Sequence, residues 1–480
     1  MTPWIEQEFG GIDLGDQRLS RRLYLIAENM WDSPQSSVAA ASKGWAETMG
    51  AYRFFDNEAV TVDPILETHR EQVAARVRLA RLVLHIQDTT ELDYTSKKAL
   101  QGTGPLSKES RQGFFAHSEY VLQEDGLPLG LWHSEICARD PGKHGEAQKR
   151  KQLPIEAKES YRWLAGYRRA CDIKALSSHP RVISMGDREN DIYEVFEEFQ
   201  QRRSLGQPAA DWIIRSNQDR RLLPLPGAEA QEAQEAQEIL KLHAEVQQAP
   251  VLGTLTVDIR AKQQFKKVKG NRQASFRTAR KALLEIRACQ VQLRPPFRRA
   301  KKLTPITLWV VMAKEINPPA NEDPIEWILL TNLRVKTLKK ALQVIRLYCR
   351  RWQIEIFHKI LKSGCCVEKA QLKTAERLLP RIALQMVVAW RIHYVTMLGR
   401  ACPDLPASAV FESWEWKPVV VVLRGKGAEK TEPTLGQMVQ FIGQLGGHLG
   451  RKSDGPPGPK AIWRGMECMH AYATLWQAWQ

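Results

Sequence analysis

Two apolar runs that each reach an aspartate constrain this chain more than any other feature. "RLVLHIQDTTELDY" (residues 81–94) and "PRVISMGDREND" (180–191) are short and rich in β-formers. Between them "GFFAHSEYVLQEDGLPLGLWHSEIC" reads as two strands joined at the turn "EDG", and "KRKQLPIEAKESYRWLAGYRRA" as a polar helical segment. Strand, hairpin, helix, strand is the beginning of an α/β fold. In this reading the first strand ends at Asp88 and the second at Asp187, where α/β sheets carry functional groups. Each aspartate also has a local reading, Asp88 as a turn former before Thr89 and Thr90, and Asp187 as the N-cap of "RENDIYEVFEEF".

The regions on either side differ. Residues 1 to about 70 read as helical and basic: in "LGDQRLSRRLYLIAENM" Asp16 is an N-cap, and Leu19, Leu23 and Ile26 recur at helical spacing. Arg18, Arg21 and Arg22 fall off that stripe, as a solvated face or as a face that docks on DNA phosphates. "SKGWAETMGAYRFFDN" starts a second helix at Ser42. Residues 226–238, "PGAEAQEAQEAQE", form an acidic low-complexity repeat, an exposed loop or frayed helix. Nine Lys or Arg residues and no acid follow between Arg260 and Lys281, the basic lip of a β-rich insertion that also holds "LTPITLWVVMAKEI" and "EWILLTNL". A long helical stretch begins at residue 337, and the chain is mainly helical after residue 375. Its last segment, "AIWRGMECMHAYATLWQAWQ", is a core helix or a helical dimer contact.

At 480 residues the chain has room for several domains, and 43% hydrophobic with 26% charged residues excludes disorder. A formal charge of +16 makes a polyanion, nucleic acid first, the favoured partner. The N-terminus lacks a signal pattern, and no window of about 18 apolar residues is evident, which points to the cytosol and to no membrane partner. The 8 cysteines show no CxxC pair and no zinc spacing, so reduced, mostly buried thiols are expected.

The most charged apolar stretch is "YCRRWQIEIFHKILK", residues 348–362. On one continuous helix, Tyr348, Arg351, Glu355, His358 and Lys362 share a face about 80° wide, with apolar residues around the rest. Glu355 then either pairs with Arg351 in a surface ladder, or binds a metal while Tyr348, Arg351 and Lys362 grip a phosphate. Asp88, Asp187 and Glu355 together would supply the hard oxygen ligands that two Mg²⁺ ions need for in-line phosphoryl transfer.

The blocks "HIQDTTELDY", "MGDREND" and "YCRRWQIEIFHKILK" resemble the DDE transposases of the insertion sequence four family. The third fits that family's Tyr-x2-Arg-x3-Glu-x6-Lys signature at Tyr348, Arg351, Glu355 and Lys362. "LGDQRLSRRL" and "GAYRFFDN" resemble its DNA-binding domain, "EINPPANEDPIEWILLT" the strand pair before the signature, and "IGQLGGHLGRKSDG" its dimerisation domain. The resemblance implies an α/β, ribonuclease-H-like catalytic core over residues 71–372 with a β-rich insertion at about 215–335. It further implies a helical DNA-end-binding domain over 1–70 and a helical C-terminal dimerisation domain over 373–480.

In that resemblance Asp88, Asp187 and Glu355 are the catalytic, metal-binding triad for two Mg²⁺ ions, with Mn²⁺ able to substitute. Tyr348, Arg351 and Lys362 contact transposon-end phosphates, with His358 and Lys359 beside them. Trp327 stacks a flipped base during hairpin formation, its other reading being a buried strand tryptophan. Arg18, Arg21, Arg22, Lys43 and Arg53 are end-recognition residues, and the basic run contacts the backbone. The implied reaction is nicking, hairpin formation, hairpin opening and strand transfer into target DNA by a homodimer in which each subunit cuts the end held by its partner. Two other readings remain, a nuclease without strand transfer and a non-catalytic DNA-binding inhibitor or regulator of transposition.

Overall fold

A computed structural model describes residues 2–143, 153–176, 181–225, 240–268, 271–297, 303–320, 322–451 and 454–479, without the side chains of 143, 262–268 and 271–276. The acidic repeat at 226–238 and most side chains of the basic run lie outside the described residues. The chain forms two compact units, one of Met1–Glu146, Leu176–Pro180 and Trp352–Gln480, the other of Ala147–Ala175 and Arg181–Arg351.

The first unit opens with α1 (Pro3–Phe9), α2 (Gln17–Asp32), α3 (Val38–Ala41), α4 (Trp45–Phe55) and α5 (Val62–Arg78), then β1 (Leu82–Asp93), β2 (Gly104–Pro105), β3 (Gln112–Gln123) and β4 (Pro128–Cys137). The second unit holds α6 (Tyr161–Ala175), β5 (Arg181–Gly186), α7 (Tyr193–Ser204), β6 (Asp211–Arg215), β7 (Leu222–Leu223), α8 (Leu242–Gln248) and β8 (Val251–Ile259). It continues with β9 (Lys262–Val268), β10 (Asn271–Arg277), β11 (Arg280–Leu293), β12 (Ile306–Glu315), β13 (Glu326–Thr331) and α9 (Leu338–Cys349). The first unit resumes with α10 (Trp352–Lys359), a π turn (Ile360–Gly364), α11 (Ala375–Ala401), α12 (Ser413–Arg424), α13 (Leu435–Leu445) and α14 (Pro459–Ala478).

In the first unit β3 pairs antiparallel with β1, β2 and β4, and α5 and α11 pack on β4. The second unit is built on a mixed sheet: β5 runs parallel to β6, and β6, β13, β12 and β11 then follow antiparallel, with β7 and β8 both on β11. β9 and β10 form a separate hairpin. The β-rich segment thus extends the sheet that carries β5, because β13 pairs directly with β6.

Five expectations change. Asp88 lies inside β1 instead of at its end, because the β-branched Thr89 and Thr90 continue the strand and β3 offers pairing partners as far as Asp93 opposite Gly113. Residues 348–362 are not one helix. Arg350 and Arg351 donate to the carbonyls of Leu347 and Tyr348 at 2.9 and 3.0 Å, tight bonds that close α9, and Lys362 sits on the π turn. The second N-terminal helix starts at Trp45, since the Ser42 hydroxyl donates back to Val38 O at 2.8 Å and closes α3. Finally, α11 is long and apolar enough to cross a membrane, but 83% of its most apolar window is buried, so it is the core helix of the first unit. The cysteines are all free, yet only Cys171, Cys365 and Cys366 are buried, and Cys349 and Cys402 are exposed.

Candidate active site

Successive strand side chains point to opposite faces, so β1 has two surroundings. His85, Gln87 and Thr89 share a face with His117 and Glu119 of β3. There His85 Nε2 lies 3.0 Å from Glu119 Oε2, and His117 bridges Gln87 Oε1 at 3.3 Å and Thr89 Oγ1 at 2.8 Å. Ile86 and Asp88 take the other face, opposite Tyr120 and Ser118. Leu84 and Ile86 are buried and Asp88 is half-buried, so the strand emerges toward solvent at the carboxylate. Asp88 Oδ1 accepts the Thr89 amide at 2.8 Å, which keeps the local turn-like bond without a turn.

α10 covers that Asp88 face. It packs on β1, and the Phe357 ring stacks on Tyr120 at 4.7 Å and 22°. Glu355 is half-buried and leaves α10 on the side away from Gln353 and Phe357. His358 is buried and Lys359 exposed, so only the lysine of that pair presents its side chain to solvent. Lys362 Nζ lies 3.8 Å from Glu368 Oε1, the oxygen that also accepts the Asp93 amide at 2.8 Å. Tyr94 donates to Val367 O at 2.8 Å, so the π turn and the segment after it are tied to the end of β1. π turns are rare and occur often at functional sites.

In the second unit, Gly186 ends β5 where a Cβ would come within 2.3 Å of the Asn190 side chain. Asp187 follows, and its Oδ1 accepts the Glu189 amide at 2.8 Å, capping the short turn Arg188–Asn190. Asp191 fixes the next turn: its Oδ2 accepts the amides of Asn217 and Gln218 at 2.8 and 2.9 Å, and Arg220 Nη2 donates to Oδ1 at 2.7 Å. Because β6 is parallel to β5 with Ile214 beside Gly186, Arg215 comes next to Asp187.

Cations gather there. Burial, then Arg188, lowers the Arg215 pKa, with Arg351 acting in the same sense and Tyr348 and Asp187 opposing. Burial pushes the Tyr348 hydroxyl up to about 12 against the pull of Arg351 and Arg215. Arg351 lies 6.0 Å from the centre of the Tyr348 ring, and half-buried Trp327 meets that ring edge-on at 5.8 Å and 74°. Asp187, Tyr348, Arg351 and Trp327, far apart in sequence, therefore meet within one unit. Arg188 and Arg215 were absent from the sequence reading. Arg188 sits inside "GDREND" itself, and Arg215 ends a strand as Asp187 follows one, which is the signal that was there to read.

Among the N-terminal cations, Arg18, Arg21, Lys43 and Arg53 are exposed. Asp16 caps α2 by accepting the Arg18 amide at 2.8 Å and pairs with its guanidinium at 2.9 Å. Arg22 is half-buried and passes over α4 at Gly50, where a Cβ would lie 2.7 Å from the guanidinium.

Among the described residues no three His, Cys, Asp or Glu side chains gather as one ion's ligands, and the triad is divided, Asp88 and Glu355 in one unit and Asp187 in the other. The donor chemistry fits a hard divalent ion: all three are carboxylates, and Asp187 is engaged through Oδ1 with Oδ2 left to ligate.

A family model described as transposase DNA-binding matches residues 1–60, which contain Arg18, Arg21, Arg22, Lys43 and Arg53. A transposase DDE domain matches residues 229–390, which hold Trp327 and the whole Tyr348 to Lys362 signature, while Asp88 and Asp187 precede it. A Tn5 transposase dimerisation domain matches residues 387–475. The DDE domain implies a ribonuclease-H-like core and divalent-metal chemistry. With these three matches in this order along its length, the chain is a DDE transposase that resembles the transposases of Tn5 and of the insertion sequence four family.

Proposed function

We propose that the protein performs cut-and-paste transposition, with Asp88, Asp187 and Glu355 as the carboxylates that hold two Mg²⁺ ions, Mn²⁺ substituting. The observation that most supports this is the meeting of Asp187 with Tyr348, Arg351, Arg188 and Arg215 in the second unit, an acid set among cations as a phosphodiester site requires. When bound, the ions would activate the attacking oxygen and neutralise the leaving one.

The chain's own groups would do the rest. Arg351, Arg215 and Arg188 draw in the scissile phosphate, Lys362 and Lys359 hold the flanking backbone, and the Tyr348 hydroxyl, protonated at neutral pH, donates to a phosphate oxygen. Half-buried Trp327 would stack on the base extruded when the strand bends into a hairpin. Water first releases a 3′-hydroxyl, which attacks the opposite strand. A second water opens the hairpin, and the 3′-hydroxyl then joins target DNA. Residues 1–70 would bind the terminal inverted repeat through Arg18, Arg21, Arg22, Lys43 and Arg53, residues 71–372 would carry the chemistry, and 373–480 would join two copies in the cytoplasm.

The test is incubation of the protein with a duplex of its terminal inverted repeat and Mg²⁺, resolved on a denaturing gel. A nick followed by a hairpin is expected. Cleavage without hairpin or strand transfer would replace the reading by a nuclease, and binding without any cleavage by a regulator.

A further inference from the structure

Glu355 sits on a helix of only eight residues. Gln353 and Phe357, four residues apart, lie on one side of α10. Both touch a single buried pair, Tyr120 of β3 and His393 of α11. The Tyr120 and His393 rings stack at 5.8 Å with 3° between planes, and the tyrosine hydroxyl lies 3.0 Å from His393 Nδ1. His393 Nε2 lies 2.9 Å from Gln353 Oε1, and Phe357 stacks on Tyr120.

The direction of these bonds is determined. An amide oxygen only accepts, so Nε2 carries the hydrogen, and Nδ1 is left to accept from the tyrosine. Burial holds the His393 pKa down to about 3, so the imidazole is uncharged near neutral pH. Burial likewise keeps the Tyr120 hydroxyl protonated. Every member of the chain Tyr120, His393, Gln353 is neutral and each bond has one donor and one acceptor.

We infer that Tyr120, His393 and Gln353 are positioning residues that lock the axial rotation of α10 and so aim the Glu355 carboxylate at the metal site. This rests on the proposed role of Glu355. A carboxylate about 5 Å from a helix axis moves by about 2 Å for a 20° rotation, and even about 1 Å of misplacement can cost a site on the order of 100-fold. A clamp at two positions one turn apart prevents that rotation from the back of the helix, without touching DNA or metal.

The test compares Tyr120→Phe, His393→Leu and His393→Gln in the full-length protein, each checked by thermal unfolding and terminal-repeat binding. Glutamine keeps one donor and one acceptor, so it should restore what leucine loses. Tyr120→Phe and His393→Leu are expected to bind the duplex normally, to need on the order of tenfold more Mg²⁺ for half-maximal nicking, to bind Mn²⁺ correspondingly more weakly by calorimetry, and to exchange the amides of α10 faster. Folded Tyr120→Phe protein with the original Mg²⁺ requirement, Mn²⁺ affinity and α10 exchange would overturn the inference, even if His393→Leu fails to fold. Nicking by Glu355→Ala at the original rate would instead overturn the role of Glu355 itself.

Discussion

The supports behind Glu355 and those around Asp187 are built from opposite materials. In the first unit the back of the helix that carries Glu355 is held by uncharged groups, namely the rings of Phe357, Tyr120 and His393 and the neutral bonds through Gln353. In the second unit Asp187 caps its own turn, the turn after it is fixed by a buried ion pair, Asp191 with Arg220, and Arg188, Arg215 and Arg351 border the aspartate. Neutral buried groups orient at small desolvation cost, whereas buried charges are costly unless fully paired. The difference teaches that aim and attraction are divided: one region sets where a carboxylate faces, and the other supplies the field that draws a phosphate in.

The largest effect should come from breaking the ion pair. Arg220→Ala leaves Asp191 buried without its counter-ion, and is expected to destabilise the second unit by about 3–5 kcal/mol, measured by denaturant unfolding. A loss below about 1 kcal/mol would mean that the pair behaves as a surface bridge and that the turn is not held by charge.

Next in size, Arg215→Ala should leave unfolding almost unchanged. It should weaken binding of a pre-nicked terminal repeat about tenfold, or about 1.4 kcal/mol, and reduce the salt slope of binding by about one. An unchanged slope would remove Arg215 from the phosphate contacts.

The smallest effect separates the two regions by pH. His393 is neutral in the folded state with its pKa lowered to about 3, while an unfolded histidine charges near its ordinary value. The unfolded state therefore binds more protons between those values, and stability falls as pH falls from about 6.5 toward 3. Between pH 7 and 6 this histidine should cost less than about 1 kcal/mol, and the loss should vanish in His393→Gln. A dependence of the same size in that variant would assign it to other buried groups, of which His470, lowered to about 4, is one.

Part of this was legible in the sequence. The hairpin of β3 and β4 follows from alternating apolar residues around "EDG", and Asp16 caps α2 as its spacing predicts. The signature spacing located Tyr348, Arg351, Glu355 and Lys362, but the break after Cys349 carries no glycine or proline, so one helix was the natural reading. Asp88 was set at a strand end because a charged residue interrupts the apolar run. Only the partner strand reveals that pairing continues through it. The clamp on α10 could not be read at all, since Tyr120 and His393 are 273 residues apart and belong to no motif.

The most direct measurement is cleavage of the terminal-repeat duplex in Mg²⁺ by Asp88→Ala, Asp187→Ala and Glu355→Ala beside the unaltered protein, with duplex binding recorded in parallel. The expected result is three variants that bind the duplex as the original does and cut it at least about 1,000-fold more slowly. Cleavage at the original rate by any one of the three would contradict the assignment of that carboxylate, and of the triad with it.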